Sequence, residues 1–335
     1  MNFSPRSILG TVLLATSLVA AAYLAGCSSE SVGREAALDS YVQGVLAYSS
    51  GDSNRAISQL QDAINQHPDL VMAHSLLGDL YQSKQYYKDA LKQYQATTRL
   101  DPYEYKNYYN EGLMLQLLHR AKDAIAAYLH ALQLNPTDAL SNQNLGIAYL
   151  KLNDVGNALK YCQRAVELND HSAPAWSNLA VVLDANHRYN EAEGAYRHAL
   201  ELDSIHPEIA VALANNLIEQ KRFAEAQSVM GGVVRTNETA PHRKRLGDTL
   251  AHQKKYDEAL GEYARCLKLD PLYYPALNET GWMLITQYNN SLGLDESKRT
   301  AALDAWQKSL LLKPDQSRIS ELMNAYAMKF SDQEP

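Results

Sequence analysis

A small residue recurs at a fixed interval along nearly the whole chain: Gly44, Gly78, Gly112, Gly146, Ala180 and Ala214, then Gly247 and Gly281. The step is 34 residues, shortened by one before Gly247. Twelve places after each of the first seven stands an alanine: Ala56, Ala90, Ala124, Ala158, Ala192, Ala226 and Ala259. After Gly281 the matching residue, Ala302, is displaced by nine. Self-similarity with a period of roughly 20 to 50 residues is the mark of a stacked array, in which each unit buries its apolar face against its neighbours.

Each unit carries two apolar stripes at helical spacing, as in Leu145, Ala148, Tyr149, Leu152 and then Ala158, Tyr161, Cys162, Ala165, Val166, so the spacing predicts one helix pair per period. Proline forces its predecessor out of helical geometry. Asp101-Pro102, Asn135-Pro136 and Asp270-Pro271, with His67-Pro68 and Lys313-Pro314, therefore end the second helix of five units. The fourth to sixth units carry Asp170, Ser204 and Glu238 in place of that proline. Mid-helix glycine costs about 1 kcal/mol relative to alanine, so six of them imply a return from packing, with the two backbones of a pair expected at the short end of the usual spacing of about 8–10 Å. Leu77, Tyr81, Tyr94 and Leu100, and in another unit Trp176, Leu179, Leu183, Tyr196 and Leu200, are expected to fill the layers between pairs.

This pattern of bulky residue, Leu-Gly, Tyr, Ala, Tyr or Phe, Ala and Pro over 34 residues resembles the tetratricopeptide repeat (TPR). The resemblance implies an all-α, right-handed TPR superhelix, an α-solenoid of eight helix-turn-helix repeats over residues 37–316. The expected units are 37–70, 71–104, 105–138, 139–172, 173–206, 207–239, 240–273 and 274–316. The nine extra residues of the last unit are expected in a polar loop around Asn289-Asn290-Ser291-Leu292-Gly293, with Asp295 or Ser297 starting the next helix. Residues 317–335 supply a capping helix and tail, with Ile319, Leu322, Met323 and Tyr326 as its apolar stripe.

Residues 7–26 are almost wholly apolar or small, preceded by Arg6 and ending in Leu24-Ala25-Gly26-Cys27. A short basic start before an apolar core is what a secretory signal needs. The same stretch is barely long enough to cross a bilayer, so an uncleaved span is the rival reading. The tetrapeptide resembles the bacterial lipoprotein signal, in which a peptidase cuts before the cysteine and the thiol is acylated. On that resemblance 1–26 is a signal peptide, Cys27 is the lipidation site and 27–36 is a tether reaching at most roughly 30 Å. Several acyl chains anchor a protein stably where one does not. Ser28, where an aspartate is absent, resembles the signal for the outer membrane. The expected location is therefore the bacterial envelope, on the periplasmic face of the outer membrane in a cell that has one.

The formal net charge is −7, and −8 once residues 1–26 with Arg6 are set aside, which does not advertise a nucleic acid partner. Cys162 and Cys266 fall three repeats apart at core positions, too far for a disulfide, and are expected buried and free. No His-Glu-x-x-His, Cys-x-x-Cys, phosphate loop or Gly-x-Ser-x-Gly occurs, and the glycines follow the period and do not cluster. His119 with His130, and His187 with His198, read as surface histidines and not as metal ligands. No catalytic residue, metal or cofactor is expected.

In the TPR fold, the first helix of each pair lines the concave wall. The resemblance places Asn110, Asn144 and Asn178 at one repeat position on that wall, beside Tyr109. It is similar to the asparagine ladder of the O-linked N-acetylglucosamine transferases, where carboxamides hold a peptide backbone by donating and accepting at once. The other reading is asparagine tolerated at a solvated position. Lys244 and Arg245, within His242-Arg243-Lys244-Arg245, and Asn215 sit on the same wall; they read either as an acidic-peptide contact or as a solvated face. The carboxylate clamp of some family members is not supported, because Tyr41, Val45, Met72, Leu76 and Asn110 stand where its cations belong. The expected function is an envelope-anchored adaptor or scaffold that binds extended segments of partner proteins, as in pilus or secretion assembly or the organisation of cell-wall enzymes. The alternative is an accessory subunit of glycan or polysaccharide synthesis or export machinery, which needs aromatic faces beyond Tyr109 and Trp282. Tyrosines near Tyr103, Tyr105 and Tyr273, expected to be exposed, leave room for a homodimer.

Overall fold

The structure is a computed structural model that describes residues 29–327; the signal segment 1–26 and Cys27 lie outside the described residues. Every regular element among the described residues is an α-helix. Contacts divide the chain into two units, one ending at Asp170 and one starting at His171. The first holds four helical hairpins: α1 (Ser29–Ser49) with α2 (Ser53–Gln66), α3 (Val71–Ser83) with α4 (Tyr87–Leu100), α5 (Tyr105–Leu117) with α6 (Ala121–Leu134), and α7 (Ala139–Lys151) with α8 (Val155–Leu168). The second holds α9 (Ala173–Ala185) with α10 (Tyr189–Leu202), α11 (Pro207–Glu219) with α12 (Phe223–Thr236), α13 (Ala240–His252) with α14 (Tyr256–Leu269), and α15 (Tyr274–Asn290) with α16 (Glu296–Leu312), then α17 (Ser317–Ala327).

The periodic alanines of the second helices are all fully buried. The periodic glycines do something other than bring backbones together. A Cβ placed at Gly78 would stand 2.8 Å from the Tyr94 ring, at Gly112 2.7 Å from Tyr128, and at Gly247 2.5 Å from Tyr263, while at Gly281 it would meet Trp306. Each glycine is a bed for the large side chain four places after the periodic alanine. Backbone approach of the expected kind occurs at Gly146, opposite the small Cys162, where Ala158 O and Cys162 N each lie 3.1 Å from the Cβ position. Tyrosines at this position reach through to polar groups on their own first helix: Tyr94 Oη donates to Asp79 Oδ1 at 2.7 Å, Tyr263 to Asp248 Oδ1 at 3.1 Å and, in the unit where Ala180 replaces the glycine, Tyr196 to Asp184 Oδ2 at 2.9 Å.

The turn inside a hairpin has one recurring device. Gln85, His119, Asn153, His187, Lys221 and Lys254 all have φ near +60°, a place taken in the first hairpin by Gly51 at +82°. The next residue's N–H bonds back to the carbonyl five places earlier, as Tyr86 N to Tyr81 O at 2.8 Å and Lys255 N to Leu250 O at 3.0 Å. This is a left-handed helix cap that satisfies two terminal carbonyls. Between hairpins the second helix of four units ends on a residue whose carboxylate or amide accepts the N–H two places on: Asp101 from Tyr103 at 3.4 Å, Asn135 from Thr137 at 3.2 Å, Asp203 from Ile205 at 3.0 Å and Asp270 from Leu272 at 3.0 Å. The helices before Ser204 and Glu238 stop in the same register as those before proline.

Three expectations need correction. The first helix starts at Ser29, so residues 29–36, expected as tether, are helical; the stretch has no proline, and Glu30, Arg34, Glu35 and Ala36 are good helix formers beside the poorer Val32 and Gly33. The nine extra residues of the eighth hairpin form little loop. α15 has 17 residues against 13 in α13, α16 has 17 against 14 in α14, and the turn spans 291–295. Asn289 and Asn290 are thus helical, and Tyr288, buried in the added turn, donates to Glu296 Oε1 at 3.0 Å. Finally, of the three tyrosines expected to be exposed only Tyr103 is, at 85%; Tyr105 and Tyr273 are half-buried, Tyr273 against the Ala240, Cys266 and Ala276 cluster. Cys162 and Cys266 are free and buried. α17 covers Ile285, Ala302 and Trp306 with Ile319, Leu322, Met323 and Tyr326, and the buried Arg299 donates to Tyr326 O at 2.6 Å.

Candidate functional site

In the first unit, α5 carries Tyr109 and Asn110, and α7 carries Asn144 at the same helix position as Asn110. Asn144 Nδ2 donates to Tyr109 Oη at 3.2 Å. The Tyr109 ring leans on Tyr128, 6.1 Å between centroids, and burial raises its hydroxyl pKa while the bond from Asn144 opposes the rise. The structure therefore brings Tyr109 and Asn144 together as one device. The amide keeps a second hydrogen and its carbonyl oxygen for a partner's backbone. Asn110 is half-buried; Asn178 is half-buried on α9 in the second unit.

In the second unit an open groove of about 750 Å³ lies on α11, α13 and α15. Asn215, Lys244 and Arg245 all line it, together with Ile218 and Glu219 from α11, Asp248 from α13, Tyr256 and Tyr263 from α14, and Glu279, Trp282 and Met283 from α15. A second hollow of about 530 Å³ shares Glu279 and Trp282 and is closed by Gln316, Arg318, Ile319 and Leu322.

The charges in this groove are unequal in what they offer. Lys244 Nζ lies 2.9 Å from Asp248 Oδ2 and 3.7 Å from Glu279 Oε1, so it is neutralised within the fold. Burial raises the Glu279 pKa, with Lys244 acting against the rise. Arg243 is spent on Glu238 and Glu262, each at 2.7 Å. Arg245 is half-buried and makes no ion pair among the described residues. The face of Trp282 lies under the Arg318 guanidinium at 5.4 Å. Neither Arg318 nor Glu279 stood out in the sequence. Arg318 follows Pro314, outside the period, and nothing in the repeat pattern links it to Trp282.

The histidines have ordinary contacts: His130 stacks on Tyr108 at 5.3 Å, His198 packs edge-on to Trp176 at 4.6 Å, His187 Nδ1 lies 2.8 Å from Tyr189 Oη, and His119 occupies a left-handed turn.

Helical hairpins whose first helices bed a large side chain of the second on glycine define an α-helical repeat protein. Family models described as tetratricopeptide repeat match residues 41–105, 105–138, 127–160, 144–207 and 185–247, and the chain belongs to that family. No curated protein matches it. Among solved structures it is similar to a tetratricopeptide repeat protein from Parabacteroides merdae, with 17% identity over 70% of this chain and 94% of that one at a TM-score of 0.59. It is also similar to pilF from Pseudomonas aeruginosa, with 22% identity over 65% of this chain and 99% of that one at a TM-score of 0.54. At these identities the likeness speaks for the fold.

Proposed function

We propose that the protein is an adaptor: a TPR scaffold without chemistry of its own that holds extended segments of partner proteins against the first helices of its hairpins, tethered to the bacterial envelope by a lipid on Cys27. The observation that carries the binding half is the second unit's groove, where amide, guanidinium and apolar side chains from three first helices face one cavity. The Tyr109–Asn144 pair supports a similar use of the first unit. The anchoring half rests on the apolar run 7–26 and on Leu24-Ala25-Gly26-Cys27. Pilus or secretion assembly and the organisation of cell-wall enzymes are the roles such an anchored adaptor suits, at the periplasmic face of the outer membrane where one exists.

Affinity purification from membrane extract, followed by mass spectrometry, tests this function. Protein clients that are lost from an Asn144→Ala, Arg245→Gln double variant support it; recovery of glycan-synthesis subunits alone would favour the accessory-subunit alternative. That alternative needs an open aromatic face for a sugar, and Arg318 covers the face of Trp282. Radiolabelled palmitate incorporation into the wild type and not into Cys27→Ala tests the anchor.

A further inference from the structure

The second unit's groove holds one inner cation that the fold leaves without an acid. Lys244 is matched by Asp248 and Glu279. Arg245, next along α13, lines the same cavity half-buried and makes no ion pair among the described residues. A partly desolvated guanidinium presents a rigid fork suited to a carboxylate, and a new charge-assisted bond there is not offset by breaking an existing one. Asn215 faces the same space from α11 and adds an amide donor. Ile218 and Met283 make the adjoining wall apolar. Three acids line the same cavity, and none of them makes an ion pair with Arg245: Asp248 is held by Lys244 and by the Tyr263 hydroxyl, Glu279 lies 3.7 Å from Lys244, and Glu219 is exposed. Arg318, which makes no ion pair among the described residues, adds positive charge at the other end of the groove, above Trp282.

Resting on the adaptor reading, we propose that this groove selects partner segments in which an Asp or Glu side chain is held by Arg245 and Asn215 while a neighbouring bulky apolar side chain packs on Ile218 and Met283. The ligand is thus an acidic-apolar segment within a partner chain, recognised by one carboxylate and one apolar neighbour.

The test is selection from two random-peptide phage libraries against the full-length protein, one with the peptide's C-terminus fused and one with it free. The fused library is expected to yield binders with Asp or Glu enriched about fivefold or more at one position, flanked by Leu, Ile, Met or Phe. The enrichment should fall to background against Arg245→Gln, partly persist against Arg245→Lys, and be unchanged against the exposed-site control Lys254→Gln. Unchanged helical circular dichroism verifies that the variants fold. Binders without acidic enrichment would overturn the acidic selection and leave the adaptor function standing; absence of binders from both libraries would overturn both. Acidic enrichment that survives Arg245→Gln removes the site from that arginine. Binders confined to the free-terminus library would assign the groove to a terminal carboxylate and overturn the side-chain form.

Discussion

At the scale of single residues, the fold is governed by which side chain lies on which glycine. Gly247 is a bed for Tyr263, whose ring is fully buried and whose hydroxyl is held by Asp248. In Gly247→Ala the new methyl would sit 2.5 Å from that ring. Overpacking of this kind costs about 1–3 kcal/mol, against a helix-propensity gain of about 1 kcal/mol. The variant is expected to melt lower, and a Tm equal to or above wild type in a thermal scan would remove the bed from the account. Asp79 illustrates a different constraint. Its pKa is raised chiefly by burial, with the Tyr94 bond opposing. A raised folded-state value means that the stabilisation linked to Asp79 is fully present below its ordinary value of 3.8 and is lost as pH rises through the folded value. Asp79→Asn keeps an acceptor for Tyr94 and removes the charge. Its Tm relative to wild type should therefore climb between about pH 4 and about pH 7; a constant difference across that range would contradict the assignment.

At the scale of elements, each hairpin is shaped by its turns as much as by its stripes. A non-glycine residue in the left-handed region costs roughly 1–2 kcal/mol, and seven hairpins, the eighth through Leu292 at φ +55°, accept that cost because the cap satisfies carbonyls at the end of the first helix. Lys254 is exposed, with φ +60°. Lys254→Gly should stabilise the protein by about 1 kcal/mol, and Gly51→Ala, at φ +82°, should destabilise it similarly. Urea unfolding midpoints moving in opposite directions would verify the pair; a lower midpoint for Lys254→Gly would show that the lysine side chain matters more than its backbone. The helix pairs themselves were legible from the spacing of Gly44 through Gly281 and of Ala56 through Ala259, because that spacing is what close packing of two neighbouring helices demands at every repeat. The left-handed turns were not. Gln, His and Lys share no chemistry that marks such a turn, and of these positions only Gly51 and Asn153 carry the usual signal. The eighth hairpin's insertion read as a loop from Asn289, Asn290 and Gly293, yet the asparagines sit in a helix prolonged by the buried Tyr288.

At the scale of the whole molecule, stability is close to a sum over hairpins and their neighbour interfaces, with no disulfide among the described residues to assist it. Cys162 and Cys266 are both fully buried, and burial pushes the Cys162 thiol up to about 12. In a Cys27→Ser background neither thiol should react with an aromatic disulfide reagent at mildly alkaline pH while the protein is folded, and both should react in denaturant. Rapid labelling of the native protein would mean that hairpins open at little cost. The chain by itself determined the helix pairing, the number of units and the buried small residues, because these are set by contacts that repeat every 34 positions and leave a period in the letters. It took the packed side chains to settle that Lys244 is neutralised while Arg245 is not, that Asn144 is paired with Tyr109, and that Arg318 covers Trp282. Those outcomes depend on distances between side chains that the repeat brings near without dictating their kind, so no periodic signal announces them.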